Sequence, residues 1–203
     1  MVNGNGVLRF ANRGNCVGLN TDSQARKAVH TPIGVSVSDR AIYHGYGLQL
    51  VDDKGRVAIP SPLRPLLIAN GAPNPEPKAP PEVVIAVHES GECLMGFDVV
   101  QMKEKVEALQ QRALAHAGPD GAPNDEILRR SMALDVVAFD ASGRFIMPSY
   151  PRGEVGISKY AFFYGLGRHF EIWDPRRAIQ SPTATDRLKS MVRHFMAEKG
   201  ETL

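Results

Sequence analysis

No sustained apolar period runs through the first forty residues, whereas clear ones follow from position 41 onward. From Met1 to Arg40 the chain is rich in Gly, Asn and Ser. Neither helical nor strand spacing persists there, so residues 1–40 are expected to be a disordered extension. Beyond it, GLQLVDDKGRVAIP alternates Leu48 and Leu50 with polar neighbours, breaks at Asp-Lys-Gly, and resumes at Val57-Ala58-Ile59. This pattern predicts a β-hairpin in which Asp52 opens the turn and Gly55 takes the position of positive φ. Pro60 ends the strand, and a short helix follows with Ser61 as N-cap, Pro62 as its first residue and Pro65 limiting its length.

A proline-rich stretch from Ala69 to Pro81 excludes regular structure. EVVIAVHE and ECLMGF then predict a second strand pair around Ser90-Gly91. Asp98 is placed as the cap of a helix whose apolar residues Met102, Val106 and Leu109 share a face and which runs to about His116. GPDGAPN interrupts it. A short helix from about Asp125 to Met132 leads into LDVVAFDASGRFIMP, followed by strands KYAFFYG and HFEIWD. Asp174-Pro175 opens a helical tail, in which Leu188, Met191, Val192 and Phe195 fall at helical spacing.

The second half therefore repeats the first. At an offset of 88 positions Asp52 aligns with Asp140, Gly55 with Gly143, Arg56 with Arg144, Pro60 with Pro148 and Ser61 with Ser149. Five identities in ten positions mark an internal repeat. Further on, Phe97-Asp98 matches Trp173-Asp174. The expected organisation is an extension over 1–40, a first repeat over 41–118 with a proline-rich insertion at 69–81, a second repeat over 124–180, and a helical tail over 181–203. The fold class is α+β, mainly β.

Charge adds a modest constraint. With 24 Lys and Arg against 22 Asp and Glu the net charge is +2, so a basic surface has to be local. Hydrophobic content of 43% and charged content of 23% are those of a soluble globular protein. Cys16 and Cys93 have no C-x-x-C spacing, which argues against a disulfide framework or zinc site and for reduced thiols in a cytoplasmic protein. No apolar run is long enough to span a membrane. Histidines 30, 44, 88, 116, 169 and 194 show no ligand spacing, so no metal and no cofactor are expected. Nucleotide-binding glycine motifs and a G-x-S-x-G elbow are missing, and the adjacent Asp52 and Asp53 are poorly arranged as an acid–base pair; catalysis and a small-molecule substrate are not expected.

What the turns offer is cationic. Lys54 and Arg56 sit at a protruding tip, where a planar guanidinium can bond guanine O6 and N7 together or hold a phosphate. Arg144 holds the matching place in the second repeat, where Ser142 replaces Lys54; Arg64, on the helix after the first hairpin, is a weaker candidate that a solvated helix face would also explain. Asp52, Gly55, Asp140 and Gly143 are assigned to building the turns, and each arginine has an alternative role in closing its own turn onto the Asp. The aromatic group Phe162, Phe163, Tyr164, Phe170 and Trp173 is assigned to the core.

Tandem D-x-x-G-R-x-x-x-P hairpins, the second half closing on GLGRHFEIWD, resemble the MraZ family of bacterial regulators over about Ile42 to Ile179. The resemblance implies two tandem AbrB-like swapped-hairpin units packed as a pseudo-dimeric barrel, assembled into a homo-oligomeric ring. It further implies binding of double-stranded DNA at promoter repeats of the division and cell-wall gene cluster, repression of that cluster, and a nucleoid-associated place in the cytoplasm. The competing expectation is a non-enzymatic interaction or assembly module built on the same hairpins; the polar DDKGR tip favours DNA.

Overall fold

The computed structural model describes residues 40–71 and 79–202. The expected extension over 1–39 and the centre of the proline-rich insertion lie outside the described residues. In chain order the elements are β1 (Tyr46–Leu50), β2 (Arg56–Ala58), α1 (Arg64–Asn70), β3 (Glu82–Val87), β4 (Leu94–Phe97), α2 (Val99–Ala115) and α3 (Asp125–Ser131). They continue with β5 (Leu134–Ala138), β6 (Arg144–Ile146), α4 (Ser149–Glu154), β7 (Tyr160–Gly165), β8 (Phe170–Trp173), α5 (Pro175–Gln180) and α6 (Asp186–Glu198). No helix among the described residues is long and apolar enough to cross a membrane.

The strands form a six-stranded antiparallel sheet in the order β1-β7-β8-β4-β3-β5, and β2 and β6 form a separate two-stranded ribbon. This corrects the simple hairpin expected for residues 48–59. The turn closes, with the Asp52 N–H donating to the Arg56 carbonyl, but β1 pairs with β7 and β2 with β6. The reason is burial: Leu48 packs with Phe162 beneath α6, while Val57 enters a different core opposite Phe145. A flat hairpin would present both residues to the same layer. The expected barrel closure is also not drawn by these ladders, since β1 and β5 remain the two edges of an open sheet.

A pseudo-twofold axis relates the halves. β5 and β6 lie 88 positions after β1 and β2, and the ribbon register pairs Val57 with Phe145, its own repeat mate. In the large sheet β4 meets β8 with Met95 opposite Glu171, which are 76 positions apart as Asp98 and Asp174 are. Both sheets are thus bisected at a pair of equivalent residues, as one axis through ribbon and sheet requires.

Alternation along the strands fills both faces of the sheet. Val83, Ile85, Leu94, Ala161, Phe163, Phe170 and Ile172 face the ribbon and its Val57, Ile59, Phe145 and Met147. On the opposite face, Val84, Ala86 and Phe97 pack with Met102 of α2, and Phe162 and Trp173 pack with Leu188, Val192 and Met196 of α6. The aromatic group assigned to the core is there: Phe162, Phe163 and Phe170 are fully buried and Trp173 nearly so, with Tyr164 packed at the margin.

Three helix boundaries differ from expectation. Ser61 caps nothing, because Leu63 and Arg64 both donate their N–H to the Pro60 carbonyl and delay α1 to Arg64. Pro65 then lies in the first turn of α1, where its missing N–H leaves no gap, and the helix runs on to Asn70 inside the stretch expected to be linker. The helical tail is two helices, α5 capped by Asp174 and α6 capped by Thr185. Arg40, counted from sequence with the expected disordered extension, is tied to the fold through an ion pair with the buried Asp98.

Candidate nucleic-acid interface

Each D-x-x-G-R stretch builds the same turn from its own atoms. Asp52 Oδ1 accepts from the N–H of Lys54 at 3.0 Å and of Arg56 at 2.8 Å. Asp140 Oδ1 accepts from the N–H of Ser142 at 2.8 Å and of Arg144 at 2.9 Å. Gly55 and Gly143 follow at φ of 79° and 80°, a region closed to most side chains. The Arg56 amide first, and then its guanidinium, holds the Asp52 carboxyl below the usual carboxylate range, so the turn is charged at neutral pH.

The two turns then support each other across the axis. The Gly55 carbonyl accepts from Met147 N–H at 2.9 Å and the Gly143 carbonyl from Ile59 N–H at 2.8 Å. Arg64 donates through Nη1 to the Ala141 carbonyl at 3.0 Å and lies half-buried on the second turn, its Nε enclosed without a partner. A Cβ added at Gly143 would stand 2.8 Å from that Nε; one added at Gly55 would stand 2.4 Å from Nη1 of Arg152. Arg152 is the 88-position mate of Arg64, a residue sequence reasoning passed over although the repeat offset marks it. The solvated helix-face role considered for Arg64 is therefore corrected: this side chain braces the opposite turn.

The remaining cations face outward. On the ribbon, Val57 and Phe145 turn inward, while Arg56 and Arg144 share the exposed face at diagonal positions. Such diagonal neighbours are roughly 7–8 Å apart. Both border a groove of about 430 Å³ with Leu50, Asp52, Val57 and Ala58. Arg56 donates through Nε to Asp52 Oδ2 at 2.6 Å, which leaves both terminal nitrogens free of that pair. Among the described residues no hydrogen bond or ion pair engages the side chain of Arg144 or of Lys54, so the closing role weighed for both arginines is taken by Arg56 alone. Away from the turns, His88, His169 and Glu171 each bring one ligand atom to within 4.8 Å of the others.

No family model matches the chain. The Transcriptional regulator MraZ of Roseiflexus castenholzii (strain DSM 13941 / HLO8) is 32% identical over 151 residues, which cover 73% of this chain and 92% of that relative. The chain belongs to the MraZ family. A second MraZ relative, from Ruegeria sp. (strain TM1040), is 31% identical over 140 residues, 66% of this chain and 77% of its own length. The MraZ protein of Ruegeria pomeroyi (strain ATCC 700808 / DSM 15171 / DSS-3) is 30% identical over 148 residues, 70% and 83% of the two chains. Within this MraZ chain, the two turns and the helices that follow them carry five cations (Lys54, Arg56, Arg64, Arg144, Arg152) and three carboxylates (Asp52, Asp53, Asp140).

Proposed function

We propose that this MraZ protein is a transcriptional regulator that binds double-stranded DNA upstream of its own division and cell-wall gene cluster and represses it. The observation that carries the proposal is the placement of two D-x-x-G-R turns on one ribbon, with Arg56 and Arg144 on its outward face. A two-stranded ribbon has the width of a B-DNA major groove, and an arginine fork matches the guanine edge. Asp52 grips Arg56 through Nε, so this guanidinium is oriented before DNA arrives, and less rotamer freedom is lost on binding. Lys54 and Arg144, whose side chains have no hydrogen-bond or ion-pair partner among the described residues, suit phosphate or base contacts at the flanks. The names of these three relatives, all transcriptional regulators, agree with this role.

The exchange of strand partners between halves supports the tandem AbrB-like, swapped-hairpin description. One ribbon offers few contacts, so tight binding calls for many copies acting together through effective concentration. The open edges β1 and β5, with Tyr46, Leu50 and Val136 exposed, are where further copies would associate into a homo-oligomeric ring. A cytoplasmic, nucleoid-associated location follows from the same role, and no step of it calls for catalysis or a small-molecule substrate.

The test is a fluorescence anisotropy titration of the full chain on DNA from upstream of its own gene and on shuffled DNA of equal length. Preferential binding to the native sequence, weakening steeply with salt, is expected. Equal and weak binding to both DNAs, or none, would contradict it.

A further inference from the structure

Histidine spacing in the sequence gives no hint of a metal site, yet three ligand-type side chains from distant segments converge. Glu171 lies on β8, at the sheet pair crossed by the pseudo-twofold axis; His169 precedes it by two residues and so leans to the same face, and His88 follows the end of β3. One nitrogen from each imidazole and one carboxylate oxygen lie within 4.8 Å of one another, and the two rings are 6.5 Å apart. All three residues are partly buried.

Several features go beyond proximity. Nε2 of His169 is enclosed with no hydrogen-bond partner, a polar atom that lacks what its surroundings would otherwise supply. Glu171 is oriented by the Trp173 indole N–H, which donates to Oε2 at 2.7 Å. His88 Nδ1 accepts from the Ser90 N–H at 3.1 Å and lies 2.9 Å from the Ser90 hydroxyl, contacts that hold the ring at the end of β3. Such outer contacts are what hold ligand side chains in place. The arrangement is not duplicated: the repeat mates of His169 and Glu171, 76 positions earlier, are Cys93 and Met95.

We propose that His88, His169 and Glu171 form a site for one divalent first-row transition metal per chain, with Zn²⁺ the best match. Two imidazoles and a carboxylate are a zinc ligand set that leaves a fourth position for water or another donor. Bound metal would clamp the β3–β4 connection of the first repeat to β8 of the second, and so raise the stability of the folded state by linkage.

The experiment is calorimetric titration of Zn²⁺ into chelator-treated full-length protein, with Co²⁺ absorption spectra and thermal melts in parallel. One saturating site per chain, a raised Tm, and d–d bands of a nitrogen/oxygen site in the Co²⁺ form are expected. His88→Ala and His169→Ala should each weaken binding by about 10–100-fold or more, the range seen even for outer-contact losses, and abolish the Tm shift. If His169→Ala fails to fold, His88→Ala, at a turn, decides. Absence of saturable binding up to millimolar Zn²⁺, or equal affinity in wild type and both variants, would overturn the site.

Discussion

Gly55 and Gly143 carry positive φ, and each also leaves room for an arginine from the opposite repeat. Gly55→Ala should therefore destabilise the protein in two separable ways: the left-handed backbone costs about 1–2 kcal/mol with any Cβ, and Arg152 must move from its place on the turn. In an Arg152→Ala background Gly55→Ala should cost only the backbone part, so a double-mutant cycle by thermal unfolding should give a non-zero coupling between the two positions. Additive effects would show that Arg152 does not brace the turn. The glycines and aspartates were legible in the sequence because turn chemistry is local. The arginine brace was not, because Arg64 and Arg152 act on a turn 79 and 97 positions away in sequence, and only the repeat offset links them.

Among the elements, α2 shows how a cap can be recruited to hold more than its helix. Asp98 is fully buried, caps Gln101 N–H at 2.9 Å, accepts from the Tyr43 hydroxyl at 2.7 Å and pairs with Arg40. The carboxylate of its repeat mate Asp174 accepts only from the amides of Arg176 and Arg177 among the described contacts. Asp98→Ala should cost about 3–5 kcal/mol, as expected when one partner of a buried ion pair is removed. Asp174→Ala should cost nearer the 0.5–2 kcal/mol of a lost cap. Urea unfolding of the two variants checks this, and equal losses would refute the added role of Asp98. Both caps could be read from sequence, since a cap lies next to its helix. The start of α1 could not, because the Pro60 carbonyl outcompetes the Ser61 side chain for the first free N–H groups. Strand pairing was likewise hidden: the apolar alternation marks β1 and β2 but carries no information about partners a hundred residues away.

For the whole molecule, neither half has a complete ribbon, and β1 and β5 each pair only with a strand of the other repeat. A fragment spanning 40–118 should be unfolded as a monomer, gaining structure only at concentrations where two copies pair in place of the two repeats. Circular dichroism with sedimentation would detect this, and a folded monomeric fragment would contradict the exchange of partners. The same exchange sets the two D-x-x-G-R turns side by side, so the proposed DNA-reading face is a single one with two arginine positions. The most direct measurement is an anisotropy titration of the upstream DNA with wild type, Arg56→Ala, Arg144→Ala and the double variant, each checked for an unchanged melt. The account predicts a loss of about 1–3 kcal/mol for each single variant, loss of sequence preference in Arg56→Ala, and near-complete loss of specific binding in the double variant. Wild-type affinity in all three folded variants would contradict it.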